Sequence, residues 1–70
     1  MKGKIREIMR KFLIADSELA RAAGVTDKTV KNLLNSSRST RIRTKRAVLE
    51  GLNEVLKERG EAPVSSDIFD

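Results

Sequence analysis

Apolar residues recur at helical spacing near the start of the chain. They follow one another at steps of three and four at Ile5, Ile8, Met9, Phe12 and Leu13. Such spacing places them on one face of an α-helix, and the charged residues between them suit its solvent side. The pattern predicts a first helix over residues 4–13.

Two shorter amphipathic segments follow, separated by a turn that contains a glycine. One begins at Asp16-Ser17, where either side chain can cap a helix, and stops at Gly24, because glycine readily adopts the left-handed conformation of helix ends. The next begins at Thr26-Asp27, again a cap followed by an acid, and stops at Asn35. Isolated helices shorter than about 12 residues are marginal in water, so both segments depend on packing.

A longer amphipathic segment occupies residues 44–59. Its broad apolar face consists of Val48, Leu49, Leu52, Val55 and Leu56. Gly51 within this segment costs about 1 kcal/mol relative to alanine, which a close contact with another helix would explain. Gly60 is the expected end of this helix.

Residues 61–70 form an acidic tail that also holds Val64, Ile68 and Phe69. We expect this tail either to be disordered or to form a strand or dimerisation arm against a second copy. Residues 1–60 are then the domain, and the predicted fold class is all-α, a small bundle of four helices. The predicted core residues are Ile5, Ile8, Phe12, Leu19, Ala20, Val25, Val30, Leu33, Leu49, Leu52 and Leu56.

The composition narrows the range of functions. The chain has 70 residues and contains neither cysteine nor histidine, so it offers no disulfide or thiolate metal site and lacks the commonest catalytic base. No glycine-rich phosphate loop or paired-carboxylate motif is visible. We therefore expect neither an enzyme nor a bound metal or cofactor. Since no apolar run approaches the roughly 18 residues of a membrane span, the expected location is the cytoplasm.

Basic residues are concentrated in the middle of the chain. The net charge is +5, and residues 28–46 carry seven basic residues and no acidic one. Such a density favours a polyanionic partner, with nucleic acid as the first choice. A solvated helix face followed by a flexible basic loop would explain the same charges.

The stretch from Ser17 to Asn35 has the properties of two helices that meet at a sharp turn. Ala20 is small where the helices must approach closely, and Gly24 lacks the Cβ that clashes at positive φ. Val25 is apolar and fills the corner, whereas the outward side of the second helix is polar and basic. Two short helices joined by such a turn make a helix-turn-helix.

This stretch resembles the helix-turn-helix of the lac-repressor family and, more loosely, that of phage Cro and phage repressors, which implies a lambda-repressor-like arrangement. The similar residues are Leu19-Ala20, Ala23-Gly24-Val25-Thr26, Thr29-Val30 and Asn35. A weaker similarity continues through residues 43–56, so the resemblance covers roughly residues 16–60. The chain departs from the lac-repressor family in having a helix before the motif, and we expect no effector-binding domain after it, so no small-molecule inducer is implied.

The resemblance implies that the helix at about residues 26–35 enters the major groove and reads base edges with its N-terminal part. The implied base-reading residues, called here the base-reading set, are Asp27, Lys28, Lys31 and Asn32. Lysine can donate to guanine, asparagine can bind adenine, and aspartate can accept from cytosine. Plainer explanations are an acid that complements the helix dipole, lysines that touch only phosphate, and a solvated asparagine.

The resemblance also implies phosphate contacts from hydroxyls, amides and arginines, which suit phosphate oxygens. These residues are Ser17, Thr26, Thr29, Asn35, Ser36, Ser37, Arg38 and Arg41. The favoured function is a sequence-specific regulator of transcription, most simply a repressor of phage or plasmid type. One recognition helix reads few base pairs, so we expect a homodimer on a palindromic site in double-stranded DNA. The alternative is a protein-interaction module or antitoxin-like domain that binds polyanions without sequence preference.

Overall fold

The computed structural model describes residues 4–35 and 40–69, apart from the side chains of residues 66 and 67. Its helices are α1 (Ile5–Lys11), α2 (Asp16–Ala23), α3 (Asp27–Asn35) and α4 (Ile42–Glu58), and a 3₁₀ helix follows at Ser66–Phe69. Neither described range contains a strand. The predicted all-α bundle of four helices is confirmed, and the predicted helix ends differ from the observed ones by two residues at most.

α1 ends earlier than its apolar spacing predicts, because the backbone turns left-handed at Leu13. The φ angle of Leu13 is 55°, and the amide of Ile14 donates to the carbonyl of Met9 at 2.8 Å. The Leu13 side chain is consequently 83% exposed, whereas Ile14 enters the core and is only 6% exposed. Helical spacing could not predict that Ile14 is buried and Leu13 exposed, since both residues lie beyond the end of the helix.

The turn between α2 and α3 follows the sequence closely. Gly24 has a φ of 72°, and the amide of Val25 donates to the carbonyl of Ala20 at 2.9 Å, as in a glycine-ended helix. Thr26 caps α3, because its Oγ1 accepts a hydrogen bond from the amide of Thr29 at 3.2 Å. The cap expected for α2 is wrong: Ala15 occupies the N-cap position, no side chain caps it, and α2 already begins at Asp16.

α4 packs against α2 more extensively than any other two elements pack. A Cβ on Gly51 would lie 2.6 to 2.8 Å from the backbone nitrogen, Cα and Cβ of Ala23, which is closer than atoms can pack. This is the helix contact that explains a glycine inside α4. The helix ends with Gly60 at a φ of 76°, and the amide of Glu61 donates to the carbonyl of Leu56 at 2.8 Å.

The core draws on all four helices and on the 3₁₀ helix. Seven of the predicted core residues are buried: Ile5, Leu19, Ala20, Val30, Leu33, Leu52 and Leu56. Four others pack against the core but stay partly exposed, namely Ile8, Phe12, Val25 and Leu49. The core also holds residues that the prediction left out, namely Met9, Ile14, Val48, Val55, Ile68 and Phe69. Within α1 and α4, the additional buried residues are neighbours of predicted ones on the same broad apolar face. The direction from which the packed helix approaches decides which residues of that face are buried.

The C-terminal segment packs against its own chain. The side-chain amide of Asn53 donates to the carbonyl of Val64 at 3.0 Å and accepts from the amide of Val64 at 2.7 Å. Ile68 and Phe69 are 3% and 6% exposed. The sequence predicts a disordered tail or an arm on a second copy, whereas in the structure Ile68 and Phe69 are buried in the core of the same bundle.

Arg59, just beyond α4, joins the ends of three helices. Its Nη2 donates to both carboxylate oxygens of Glu18 in α2, at 3.0 and 3.2 Å, and its Nη1 donates to the carbonyl of Phe12 after α1. Since both side chains of the ion pair are about a third or more exposed, its effect on stability is small. The main consequence of these Arg59 bonds is to hold the residue after α1 and the start of α2 beside the end of α4.

Polar chemistry lies at the surface throughout the described ranges. No polar or charged residue there is buried, and no group of three or more acidic residues lies where it could hold a metal ion. None of the helices in these ranges combines the length and apolar character that crossing a membrane requires. Any site in this part of the chain is therefore a surface or a shallow cleft.

Candidate nucleic-acid interface

α3 has one buried face and one exposed face. Val30 and Leu33 are 0% and 1% exposed and anchor the helix in the core. The exposed residues are Asp27, Lys28, Lys31, Asn32 and Asn35. At about 100° per residue, Lys28, Asn32 and Asn35 project from one side, and Lys31 lies at its edge. The whole base-reading set is therefore exposed on one short helix, with two cations on its outward side.

The hydroxyls at the start of α3 are partly engaged with each other. Thr26 Oγ1 lies 2.9 Å from Thr29 Oγ1 and also accepts the amide of Thr29. Only one of the two hydroxyls can donate within this pair, so one hydroxyl proton is left for an outside acceptor. The pair can stabilise the start of the helix and still donate to a phosphate oxygen, where the helix dipole favours negative charge.

Asn35 contacts α1. Arg6 Nη2 donates to Asn35 Oδ1 at 2.7 Å, so the arginine lies beside the C-terminal end of α3. This bond orients the amide of Asn35 and leaves its Nδ2 protons free to donate. Asn35 thus remains suited to a phosphate contact, and it has a structural role as well.

The structure places Ser17 among carboxylates. It lines a cleft between α2 and α4 together with Glu18, Glu54 and Glu58, while Arg21 is the only cation in that lining. Negative charge of this density repels a phosphate group. The surroundings of Ser17 therefore disfavour the expected phosphate contact.

Arg41 immediately precedes the N-terminus of α4, which is rich in basic residues. It is exposed and extended, with φ −64° and ψ 148°, and α4 begins immediately after it. Arg43, Lys45 and Arg46 follow, and the first turn of α4 contains no acid. Ser36, Ser37 and Arg38, the other phosphate contacts expected near here, lie outside the described residues.

Arg6 and Arg10 of α1 are further candidate residues, which the sequence pattern did not single out. Both are exposed, and both line a cleft with Lys31 and Asn35 of α3. Their spacing of four places them on the same side of a helix, a signal that was readable from the sequence. The sequence pattern does not show which helix lies beside them.

Charge is unevenly divided along the chain. Residues 1–46 hold 13 basic and four acidic residues, whereas residues 47–70 hold two basic and six acidic residues. In the acidic part, Glu50, Glu54 and Glu58 are exposed along one side of α4. The basic part includes all of α1, α2 and α3, so the positive charge of the chain is concentrated there.

No protein-family model matches this chain, and neither does any curated protein or solved structure.

Proposed function

We propose that this chain is a sequence-specific double-stranded DNA-binding protein that regulates transcription, with α2 and α3 acting as a helix-turn-helix. One observation carries the proposal. α3 follows a three-residue turn, buries Val30 and Leu33, and leaves the base-reading set exposed. An α-helix is about 10–12 Å across, which suits a major groove about 12 Å wide.

The start of α4 supports the proposal independently. Cations at a helix N-terminus are disfavoured by the helix dipole, yet Arg43, Lys45 and Arg46 all lie near the start of α4 with no acid in its first turn. Stability of the free protein does not account for this arrangement. A row of phosphates along the DNA backbone would neutralise these charges.

The proposed activity is binding, without catalysis, metal or cofactor. A repressor is its simplest form, since occupancy of a site that overlaps a promoter blocks transcription without further chemistry. We propose that two copies bind a palindromic site, because one helix reads too few base pairs to select a site alone. The place of action is then the nucleoid.

The decisive experiment is selection from random duplex DNA at physiological salt, followed by titration of the selected duplex against a scrambled one. The expected result is a two-fold symmetric motif, bound about 1,000-fold or more tightly than the scrambled duplex. Binding with no enriched motif and strong salt sensitivity would contradict the proposal and leave a non-specific polyanion binder.

Two variants separate base reading from phosphate binding. Lys28→Ala is expected to lose about 1–3 kcal/mol on the selected duplex and to relax specificity at one position, whereas Arg41→Ala should weaken selected and scrambled duplexes alike. Lys57→Ala removes an equal charge from the acidic side of α4 and serves as the control. Unchanged DNA affinity after Lys28→Glu and Lys31→Glu would instead favour a protein-interaction module.

A further inference from the structure

A half-open cleft of about 250 Å³ lies between α1 and the C-terminal half of α3. Its apolar lining comes from Met9, Ile14 and Leu34. Its polar lining comes from Arg6 and Arg10 of α1, Lys31 and Asn35 of α3, and Asp16 at the start of α2. Three cations and one carboxylate therefore converge on a space bounded by three helices.

Most of these charges have no partner within the described residues. No ion pair or hydrogen bond involves the side chains of Arg10, Lys31 or Asp16 in that part of the chain. Arg6 is held by the amide oxygen of Asn35 at 2.7 Å, a neutral partner that leaves its charge uncompensated. Like charges brought together in this way repel one another, and a bound anion relieves that repulsion.

We infer that this cleft holds a phosphate group of the DNA backbone, with Arg6 and Arg10 as its principal contacts. The planar guanidinium fork matches the oxygens of a phosphate group. The bond to Asn35 restrains Arg6 in advance, so less side-chain freedom is lost when the phosphate binds. The Nδ2 group of Asn35 supplies a further donor at the same rim.

This inference rests on the proposed function, because α3 must lie in the groove for a backbone phosphate to reach its C-terminal half. It goes beyond that function in assigning α1 a direct part in binding. Asp16 opposes phosphate binding, since its carboxylate lies in the same cleft and repels the incoming phosphate. Removing that charge should strengthen binding, which most surface substitutions do not do.

The test measures affinity of the full chain for a labelled duplex over a series of KCl concentrations. The variants are Arg6→Gln, Arg10→Gln and the double variant, with Lys57→Gln as the matched control. Each lost phosphate contact should reduce the magnitude of the slope of log affinity against log salt by about 0.9. The control is exposed among carboxylates on α4 and should leave the slope unchanged.

Arg10→Gln is the cleanest variant, because the Arg10 side chain makes no hydrogen bond or ion pair with the described residues. Circular dichroism and thermal unfolding of each variant establish that the fold is intact. Asp16→Asn should raise duplex affinity about two- to fivefold, the range expected for one charge interaction at a surface. Equal slopes for Arg10→Gln and Lys57→Gln, or no gain with Asp16→Asn, would overturn the inference.

The failures of the two proposals look different. If the wild-type chain binds no duplex, the proposed function and this inference fall together. If the wild-type chain binds duplex DNA while the arginine variants behave as Lys57→Gln, only the cleft is excluded. A third outcome is that the cleft binds inorganic phosphate, and that Arg10→Gln abolishes this binding without changing the salt slope for the duplex. The occupant would then be a free phosphate compound, and the inference of a DNA backbone phosphate would be overturned.

Discussion

Leu13 holds a backbone conformation that L-amino acids avoid. Its φ is 55°, and apart from glycines no other described residue has a positive φ. Its side chain is 83% exposed, so contacts within the chain do not offset the strain. The left-handed residue is nonetheless what ends α1 and directs Ile14 inward, because the bond from the Ile14 amide to the Met9 carbonyl closes that helix end.

Leu13→Gly should raise the free energy of unfolding by about 0.5–1 kcal/mol. Glycine removes the left-handed strain of roughly 1–2 kcal/mol but also gains freedom in the unfolded chain, so part of the benefit is lost. Urea unfolding measures the difference. Gly24→Ala and Gly60→Ala are the reciprocal controls: each has a positive φ and nothing within 4 Å of an added Cβ, so each should lose about 1 kcal/mol. A destabilised Leu13→Gly protein would show that the leucine side chain makes a stabilising contact.

Gly51→Ala should destabilise the protein by about 1–3 kcal/mol, because overpacking forces α2 and α4 apart. The sign is opposite to that of helix propensity, which favours alanine over glycine by about 1 kcal/mol. Chemical denaturation decides between them, with Glu50→Ala at the neighbouring exposed position as the control. Adding Ala23→Gly should not restore stability, since the backbone nitrogen and Cα of residue 23 would still lie 2.6 and 2.7 Å from the new Cβ. Full rescue would mean that the Ala23 side chain alone causes the clash.

α4 organises the other elements. It carries the contact with α2 at Gly51, and it tethers the C-terminal segment through Asn53. The Asn53 side-chain amide donates one of these hydrogen bonds and accepts the other. The pair of bonds resembles the pairing between two backbone strands. A side chain in a helix thereby fixes an extended segment that has no regular backbone partner of its own.

Asn53→Ala should cost about 1–3 kcal/mol, because it leaves a part-buried amide and carbonyl of Val64 unsatisfied. Hydrogen exchange gives the local readout. The amide of Ile68, bonded to the Ser65 carbonyl at 3.3 Å, should lose protection more than the amides of α3 do. Phe69→Ala is the comparison, since removing a side chain that is 6% exposed should cost about 3 kcal/mol or more. Unchanged protection of Ile68 in Asn53→Ala would show that its apolar contacts alone hold the segment.

The size of the molecule limits how two copies can share one DNA site. Its principal extents are 31 × 23 × 18 Å, whereas half-sites in successive major grooves lie about 34 Å apart. If two copies bind as proposed, we expect them to meet through their ends, with a small contact between them. The uneven charge suits the proposed arrangement, because basic surfaces laid along one duplex would be separated rather than buried against each other.

Cooperative binding should depend sharply on half-site spacing. Inserting about five base pairs turns the second half-site to the opposite face of the duplex, where the second copy cannot reach the first. The expected outcome is loss of cooperativity with unchanged affinity for a single half-site, measured by electrophoretic titration. Cooperativity that survives the insertion would require a much larger interface than two molecules of this size can form on DNA.

Several local features were predictable because they depend on neighbouring residues alone. Thr26 caps α3, while Gly24 and Gly60 end helices in left-handed conformations, as their residue types and positions predict. The expected cap of α2 is wrong, because α2 begins at Asp16. Asp16 and Ser17 are good capping residues, but both lie inside the first turn of the helix. Cap preferences rank the candidates, and the packing of the helix decides where it starts.

The sequence alone determined the four helices, the polar outer side of α3 and the basic character of the middle of the chain. These follow from apolar period, cap residues and charge count, all of which act over short range. Only the tertiary structure decided that Arg6 lies beside Asn35, that Ser17 lies among carboxylates, and that Phe69 is buried. The reason is physical: periodicity tells which side of an element is apolar, whereas the neighbour that covers it is chosen by packing among all the elements together.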